Sequence, residues 1–522
     1  MKIFALTASC FRSMAPRFSI SPAVREIAAR TPIIADNFAQ QALSFAIFAV
    51  LAHWLTPHEF GLLAIAHLMV QFVRMTLLDA IAMPVVRGVD SNDTLFDWLF
   101  TLCTIVSLVL AAVMALASPL LVRFFGTPEL MPVLLGMSLV IVLFGLVRAH
   151  EARLLREGNF RLLAIRSLCS VSAGGAVALL MVYQGAGAMA LVAQQLVAGV
   201  VALLIAVAAE WRTWRPHWSW STALIRRHAS EMNKVSASAL LNYANTSGDA
   251  ALVTVLLGPY ATGLYNLAKR VLSAAYLVIG ASLGRVSVSL FVQQQRDPAA
   301  LRQIYGRMLA MTLLLLAPVY TIVTALAEPM VVIVFGEKWR ASAALFGWLS
   351  VAYMGQAVFA LGQNLSFATG QTSRVPKLAL AQMLLATTLA WVLTRTNGAT
   401  GVAAGFALGS VAGMVAMKFA IGRQLGMSLR SFVVTILPAG AGAALSAILI
   451  HLLPLTGMDI TEWSSLIIAG MAGLVAYGAG AGAVRRLAGF ERGSSGFPMR
   501  RGLENRAPGE DERTGKVLGH PS

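Results

Sequence analysis

Charged side chains are scarce in this 522-residue chain, at 12%, where a soluble domain carries roughly a quarter. That shortage excludes a string of water-soluble domains, because each of several cores would need its own polar surface. Acidic residues are scarcer still, 23 against 40 Lys and Arg, for a net charge of +17. The excess does not point to nucleic acid, because the basic residues are not gathered into one binding face. Cysteine is nearly absent: Cys10, Cys103 and Cys169 make neither a metal-ligand spacing nor an even set for disulfides. There is no G-x-x-x-x-G-K-[ST] loop, no H-E-x-x-H and no stretch long enough for a soluble catalytic domain. An enzyme is therefore not expected, nor a metal or cofactor. Any energy source would be an ion gradient, the membrane potential or the substrate's own gradient. The first 31 residues carry scattered Arg and no sustained apolar run, so no cleavable signal peptide is expected.

What is present is apolar. Apolar residues make up 58%, and mean hydropathy is +0.74. Runs of membrane-spanning length recur, which predicts an all-α membrane protein of about fourteen transmembrane helices. They are placed near 33–54, 60–84, 95–122, 131–150, 162–183, 187–209, 232–258, 260–290, 308–335, 343–369, 374–396, 399–424, 430–453 and 462–484. Basic residues cluster in every second connection, among them Arg148, Arg153, Arg156, Arg161 and Arg166. The other connections hold only Arg123, Lys338, Arg340 and Arg395. By the positive-inside rule both termini are expected in the cytoplasm, and the chain in a bacterial inner membrane. The tail 485–522 is polar, Gly-rich and basic and is expected to be disordered. Trp211, Trp214, Trp218 and Trp220 cluster in one cytoplasmic connection, where interfacial anchoring is expected.

An internal echo divides the chain. Pro57, Gly61, Leu62 and Ala66 reappear as Pro259, Gly263, Leu264 and Ala268, each set spanning the turn between the first two helices of a six-helix block. Phe125-Gly126 similarly returns as Phe335-Gly336. Because six is even, the copies share one orientation, which predicts two parallel six-helix lobes plus two C-terminal helices. The expected layout is a cytoplasmic segment 1–32, a first lobe 33–209, a cytoplasmic interlobe loop 210–231, a second lobe 232–424, two further helices within 430–484 and the tail.

A few polar residues sit where lipid would not tolerate them. Ser238, Asn242, Asn245 and Asp249 are spaced four, three and four apart, so they share one stripe of a helix. Asp249 lies roughly 14 Å from the helix end, near the bilayer midplane. Lys269 and Arg270 on the next helix lie at similar depth, and Arg74 somewhat nearer the cytoplasm. A centred Lys or Arg costs roughly 2.5–3.5 kcal/mol, so such residues face a cavity or a partner. Two readings of Asp249 stand: it neutralises Lys269 or Arg270, or it couples an ion. Asp36 and Asn37 open the first helix, and Gln40, Gln41 and Ser44 continue their side, either as an end structure or as cavity lining. Gln356 and Gln363 share a face, explained equally by helix–helix hydrogen bonding.

Four stretches together resemble the polysaccharide-transport (Wzx-like oligosaccharide flippase) family of the multidrug/oligosaccharidyl-lipid/polysaccharide exporter superfamily. They are Leu55-Thr-Pro-His-Glu-Phe-Gly-Leu-Leu63; the basic run Ala152 to Arg161 with Ala164; Gly248-Asp-Ala-Ala-Leu-Val-Thr-Val-Leu-Leu-Gly258 with Gly263-Leu-Tyr-Asn-Leu-Ala268; and Phe335-Gly-Glu-Lys-Trp339 followed by Ala368-Thr-Gly370. The likeness spans about residues 30–425. One departure is Asp79-Ala-Ile-Ala-Met83, where relatives carry a Gly-containing turn after the Asp. The resemblance implies an undecaprenyl-pyrophosphate-linked oligosaccharide as substrate, flipped for exopolysaccharide, capsule or O-antigen synthesis. It also implies a polymerase and glycosyltransferases as pathway partners. A pyrophosphate needs cations in a low-dielectric cavity, which makes Lys269, Arg270 and Arg74 the expected substrate contacts. Asp249, Asn242, Asn245, Gln40 and Gln41 are the expected polar lining or coupling groups. A multidrug exporter or a lipid II flippase of the same superfamily are the alternatives.

Overall fold

The computed structural model describes residues 31–88, 92–456 and 462–487. Expectations for the N-terminal segment, the tail and Cys10, and for the side chains of Asp36 and Asn37, lie outside the described residues. The described chain is helical nearly throughout, and no strand occurs in it. Helices are what hydrocarbon permits, because unpaired backbone N–H and C=O groups cost several kcal/mol there.

Among the described residues, eleven helices are long and apolar enough to cross a membrane. The first half holds α1 (Thr31–Trp54), α2 (Pro57–Arg87), α3 (Asp93–Phe125), α4 (Leu130–Arg156), α5 (Phe160–Tyr183) and α6 (Ala188–Glu210). A continuous run Thr222–Gln293 follows, broken at Gly258, where φ is 75°. Pro259 then opens the next segment, so the run is two antiparallel spans, α7 (222–257) and α8 (259–293). After α9 (Pro298–Ala325) a short helix Ala327–Phe335 leads into α10 (Glu337–Ala368). Val375–Leu425 breaks the same way at Gly398, φ 55°, giving α11 (375–397) and α12 (399–425). Glycine supplies both breaks because it adopts positive φ without a steric penalty. Finally come α13 (Leu429–Leu452) and α14 (Trp463–Leu487). Counting both halves of each broken helix, the eleven become thirteen, and α1, 24 residues long, brings the described helices of spanning length to fourteen.

Three boundaries differ by more than six residues from the sequence expectation, one of them the start of α9, at Pro298 instead of 308. The helix of α7 begins at Thr222, ten residues before the expected 232. Arg226, Arg227, His228 and Glu231 depress hydropathy there but do not stop a helix, and Ser221 caps it by accepting from the Leu224 N–H at 3.3 Å. The expected ninth span, 308–335, ends early at Ala325, and its last third is the separate short helix.

The start of α2 shows how the Leu55–Leu63 stretch folds. Thr56 is its N-cap and Pro57 its first residue. The Thr56 hydroxyl accepts from the Glu59 N–H at 3.3 Å, and the Glu59 carboxylate accepts from the Thr56 N–H at 2.7 Å. This reciprocal capping box satisfies two backbone donors that the helix leaves free. Elsewhere small residues bring helices together. Gly401, Gly405, Gly409 and Gly413 form one stripe of α12 laid directly on α11; a Cβ on Gly405 would lie 2.2 Å from the Ala390 nitrogen.

The connections α1–α2, α3–α4, α5–α6, α7–α8 and α11–α12, with the short helix and the end of α13, lie at one end of the bundle. We call it the turn end, and the opposite one the arginine-rich end. At the latter the connection 211–221 is laid on the first half. The Trp214 indole N–H donates to Asp97 at 2.9 Å, and the Ser219 N–H to the Thr101 hydroxyl at 2.9 Å. The Trp214 ring packs against His150, which bonds Glu210, both buried. Trp211, Trp218 and Trp220 are exposed, but Trp214 is buried. It is therefore an internal fastening rather than an interfacial anchor.

Candidate functional site

The two copies of the Pro-x-x-x-Gly echo meet each other. A Cβ on Gly61 would lie 1.8 Å from the Pro259 carbonyl oxygen, and one on Gly263 would lie 1.8 Å from the Pro57 carbonyl oxygen. The contact is reciprocal, as a pseudo-twofold axis requires, and it closes the seam between the halves at the turn end. Around it, Phe48 and Phe60 of the first half pack edge-on against Phe335 and Trp339 of the second, with centroid distances of 6.0 and 5.4 Å. The last carbonyls of α1 have no partner within their helix. Trp339 donates its indole N–H to Ala52 O and Lys338 its ammonium to His53 O, each at 2.9 Å. The Phe335–Trp339 stretch thus caps a helix of the opposite half.

The halves also share a second device. Arg74–Leu78 in α2 and Tyr276–Gly280 in α8 are π-helical turns, each starting 17 residues after the opening proline (57 to 74, 259 to 276). Such turns free backbone carbonyls and recur at functional sites. In α2, α7 supplies donors nearby: the Ser236 hydroxyl to Thr76 O, and the Tyr243 hydroxyl to Leu68 O at 2.5 Å.

The sequence-selected charges separate. Lys269 turns into the second half, where its ammonium donates to Asp249 Oδ1 at 2.5 Å and to Thr246 O at 2.7 Å. The Tyr265 hydroxyl donates to the other Asp249 oxygen at 3.0 Å. Both carboxylate oxygens are therefore engaged. The pair borders a cavity of about 50 Å³ that also touches Asn245, Gln356, Gln382 and Ser410. That space is enough for ordered water.

Arg270, one residue on, points across the seam. Its guanidinium donates to the Ser44 hydroxyl at 2.8 Å and lies 4.3 Å from the centroid of the Phe48 ring, both on α1. Successive helical residues diverge by about 100°, so neighbouring cations serve different surfaces. Arg74 lies in the α2 π turn, its guanidinium 5.3 Å from the centre of the Phe144 ring. Hence Lys269 and Arg270 serve different surfaces, the first bonded to Asp249 and the second to Ser44. Asn242 and Ser238 are exposed and Asn245 half-buried, so the α7 stripe runs from open space into the small cavity. Gln40 and Gln41 on α1 are half-buried.

Sequence reasoning missed His67, which lies on α2 seven residues before Arg74 and within electrostatic reach of both Arg74 and Arg270. It also missed a charge network beyond Arg74. Arg148 meets Asp79 at 3.2 Å and Glu151 at 2.7 Å, while Arg166 meets Glu151 at 2.5 Å. A seven-residue spacing on a midmembrane helix was the available signal for His67.

Comparison places this architecture among membrane transporters. The fold superposes on the lipid II flippase MurJ in an inward closed conformation with a TM-score of 0.68 at 13% identity, covering 87% of this chain and 99% of that one. An inward-facing multidrug resistance MATE family transporter of the MOP superfamily gives 0.54 at 14% identity, covering 76% and 94%. At these identities the likeness is one of fold: a multi-pass helical membrane bundle. More particularly, the family model described as polysaccharide biosynthesis protein matches residues 50–344, and the chain belongs to that family. Among named relatives, the succinoglycan biosynthesis transport protein ExoT of Rhizobium meliloti is 28% identical over 59% of this chain and 62% of its own length. The lipopolysaccharide biosynthesis protein WzxC of Escherichia coli is 23% identical over 74% and 79%. The teichuronic acid biosynthesis protein TuaB of Bacillus subtilis is 20% identical over 58% and 63%. The alignment thus spans about three fifths of the first and third of these relatives.

Proposed function

We propose that this chain is a flippase that carries undecaprenyl-pyrophosphate-linked oligosaccharide units across a bacterial inner membrane, by alternating access, for exopolysaccharide, capsule or O-antigen synthesis. The arginine-rich end and both termini face the cytoplasm. The turn end faces the periplasm and is sealed in the state described. The lobes 33–209 and 232–424 rock as units, and a polymerase and glycosyltransferases of the same pathway supply and consume the substrate.

The observation that carries this reading is Arg270, a guanidinium held at the seam between the halves by Ser44 and Phe48, with Arg74 farther along. Guanidinium–phosphate bonds are charge-assisted and bidentate, each contributing roughly 1.5–3 kcal/mol. Lys269 is engaged by Asp249, and the pair serves charge balance or ion coupling, while Arg270 lies on the seam along which the substrate passes when the halves part. The cationic seam also favours a pyrophosphate over the cationic drugs that a multidrug exporter would hold.

The test is surface polysaccharide in cells carrying Arg74→Ala, Arg270→Ala or both, with membrane insertion checked by blotting. Output is lost in the double variant while the protein inserts. Normal output from the double variant would overturn the cationic-seam reading. For coupling, Asp249→Asn vesicles that keep full sensitivity to a pH or sodium gradient count against Asp249.

A further inference from the structure

At the arginine-rich end of the first half, three arginines, Arg148, Arg153 and Arg166, are matched by acids. Arg148 meets Asp79 and Glu151, Arg166 meets Glu151, and Arg153 meets Asp93 at 2.8 Å and Glu157 at 3.0 Å. The second half has a different arrangement between α11 and α12. Arg374 and Lys377, at the start of α11, face Arg423 of α12 across a groove of about 540 Å³, and no carboxylate lines it. Among the described residues none of the three takes part in an ion pair. The floor is small and apolar: Ala416, Phe419 and Ala420, with Arg423, follow one another at three-, one- and three-residue steps, which places them on one face of α12. The glycine stripe that locks α12 onto α11 keeps the two walls together.

We propose that this groove is a binding site for the phosphate headgroup of an anionic membrane phospholipid. Positive-inside bias accounts for cations at this end; it does not account for their gathering, without acids, around a built cleft. The groove opens sideways: Phe419 at its edge is 53% exposed on the helix surface, where acyl chains lie in a membrane. Its volume is in the range of small-ligand sites, enough for a phosphoglycerol group. Cationic pockets between transmembrane helices at the cytoplasmic level take anionic headgroups on this principle. The site is independent of the substrate reading, since none of Arg270, Arg74, Lys269 or Asp249 lines it.

Purified full-length protein in a zwitterionic detergent is titrated with phosphatidylglycerol, phosphatidylethanolamine or inorganic phosphate, and binding is read by thermal stabilisation and by lipid adducts in native mass spectrometry. Phosphatidylglycerol binds and stabilises; the other two do not. With each cation contributing about five-fold, Arg374→Gln/Lys377→Gln/Arg423→Gln lowers phosphatidylglycerol affinity on the order of 100-fold. Ala420→Leu, which fills the floor and keeps every charge, also loses it, whereas Arg423→Lys retains it. Undiminished binding in the triple variant or in Ala420→Leu overturns the site. Equal stabilisation by inorganic phosphate overturns the assignment to lipid.

Discussion

Replacing Gly61 with alanine tests the seal between the halves. The added methyl would stand 1.8 Å from the Pro259 carbonyl oxygen and 2.5 Å from its carbon. Both are backbone atoms, so no side chain can swing away. Restoring an ordinary contact of roughly 3.3–3.5 Å requires the halves to part by about 1.5 Å. Overpacking of this kind costs roughly 1–3 kcal/mol. The contact exists only while the turn end is closed, so the cost falls on that state alone. About 2 kcal/mol shifts the closed-to-open ratio roughly 30-fold. Gly263→Ala meets the Pro57 carbonyl at the same 1.8 Å and has the same effect. The double variant shows less than the sum, because one separation relieves both clashes. The assay is a spin-label distance between the halves, with labels on Arg123→Cys and Thr396→Cys, exposed residues at the turn end, in a background lacking Cys10, Cys103 and Cys169. The wild type gives a short distance; Gly61→Ala adds a longer one. An unchanged distance distribution in properly folded Gly61→Ala protein would refute the reciprocal seal.

Trp339→Phe keeps the ring packing and loses the bond to Ala52 O, a loss of about 1 kcal/mol, so the same labels show roughly five-fold more open state. Trp214→Phe, whose indole bonds only within the first half, leaves the distance unchanged and serves as the control. Lys269→Ala strands the Asp249 carboxylate, which has 12% side-chain exposure, and lowers stability by about 3 kcal/mol. Lys269→Ala/Asp249→Ala regains most of that, and a single variant as stable as wild type in thermal unfolding would sink the pairing. Thr56→Ala removes the α2 cap and costs about 1 kcal/mol, read as a lower unfolding midpoint that Thr56→Ser restores.

The spans were legible because insertion energetics act on composition alone. A run of about twenty apolar residues crosses, and arginines stay on one side, whatever the helices later pack against. The echo Pro57–Gly61 and Pro259–Gly263 was legible as a repeat, but its meaning was not. That each glycine takes the other copy's carbonyl is a tertiary fact with no local signal. Lys269 and Arg270 were grouped because they are adjacent, and they serve different surfaces for the same reason, one helical step between them. Trp339 was hidden by its place at the edge of a connection; only the exposed carbonyls of α1 explain why an indole is wanted there. The start of α7 was placed late because hydropathy reports the membrane boundary, and the helix runs past it into water.

Three of the four stretches that carry the family resemblance converge on the seal. Leu55–Leu63 supplies the cap, Phe60 and Gly61; Gly258 through Ala268 supplies the break and Gly263; Phe335–Trp339 supplies the bridge to α1. The fourth, Ala152 to Arg161, is fastened at the opposite end, where Arg153 holds Asp93 and Arg156 donates to Val85 O at 3.1 Å. The shared pattern therefore specifies how one end closes and how the other is anchored. Between them lie residues outside those stretches: Arg74, His67, Arg270 and the exposed side of α7 with Ser238 and Asn242. On the proposed flippase reading, these intervening positions are the ones that meet the glycan. Exchanging Ser238 and Asn242 alone thus alters which glycan is exported and leaves the turn-end distance of the sealed state where it is.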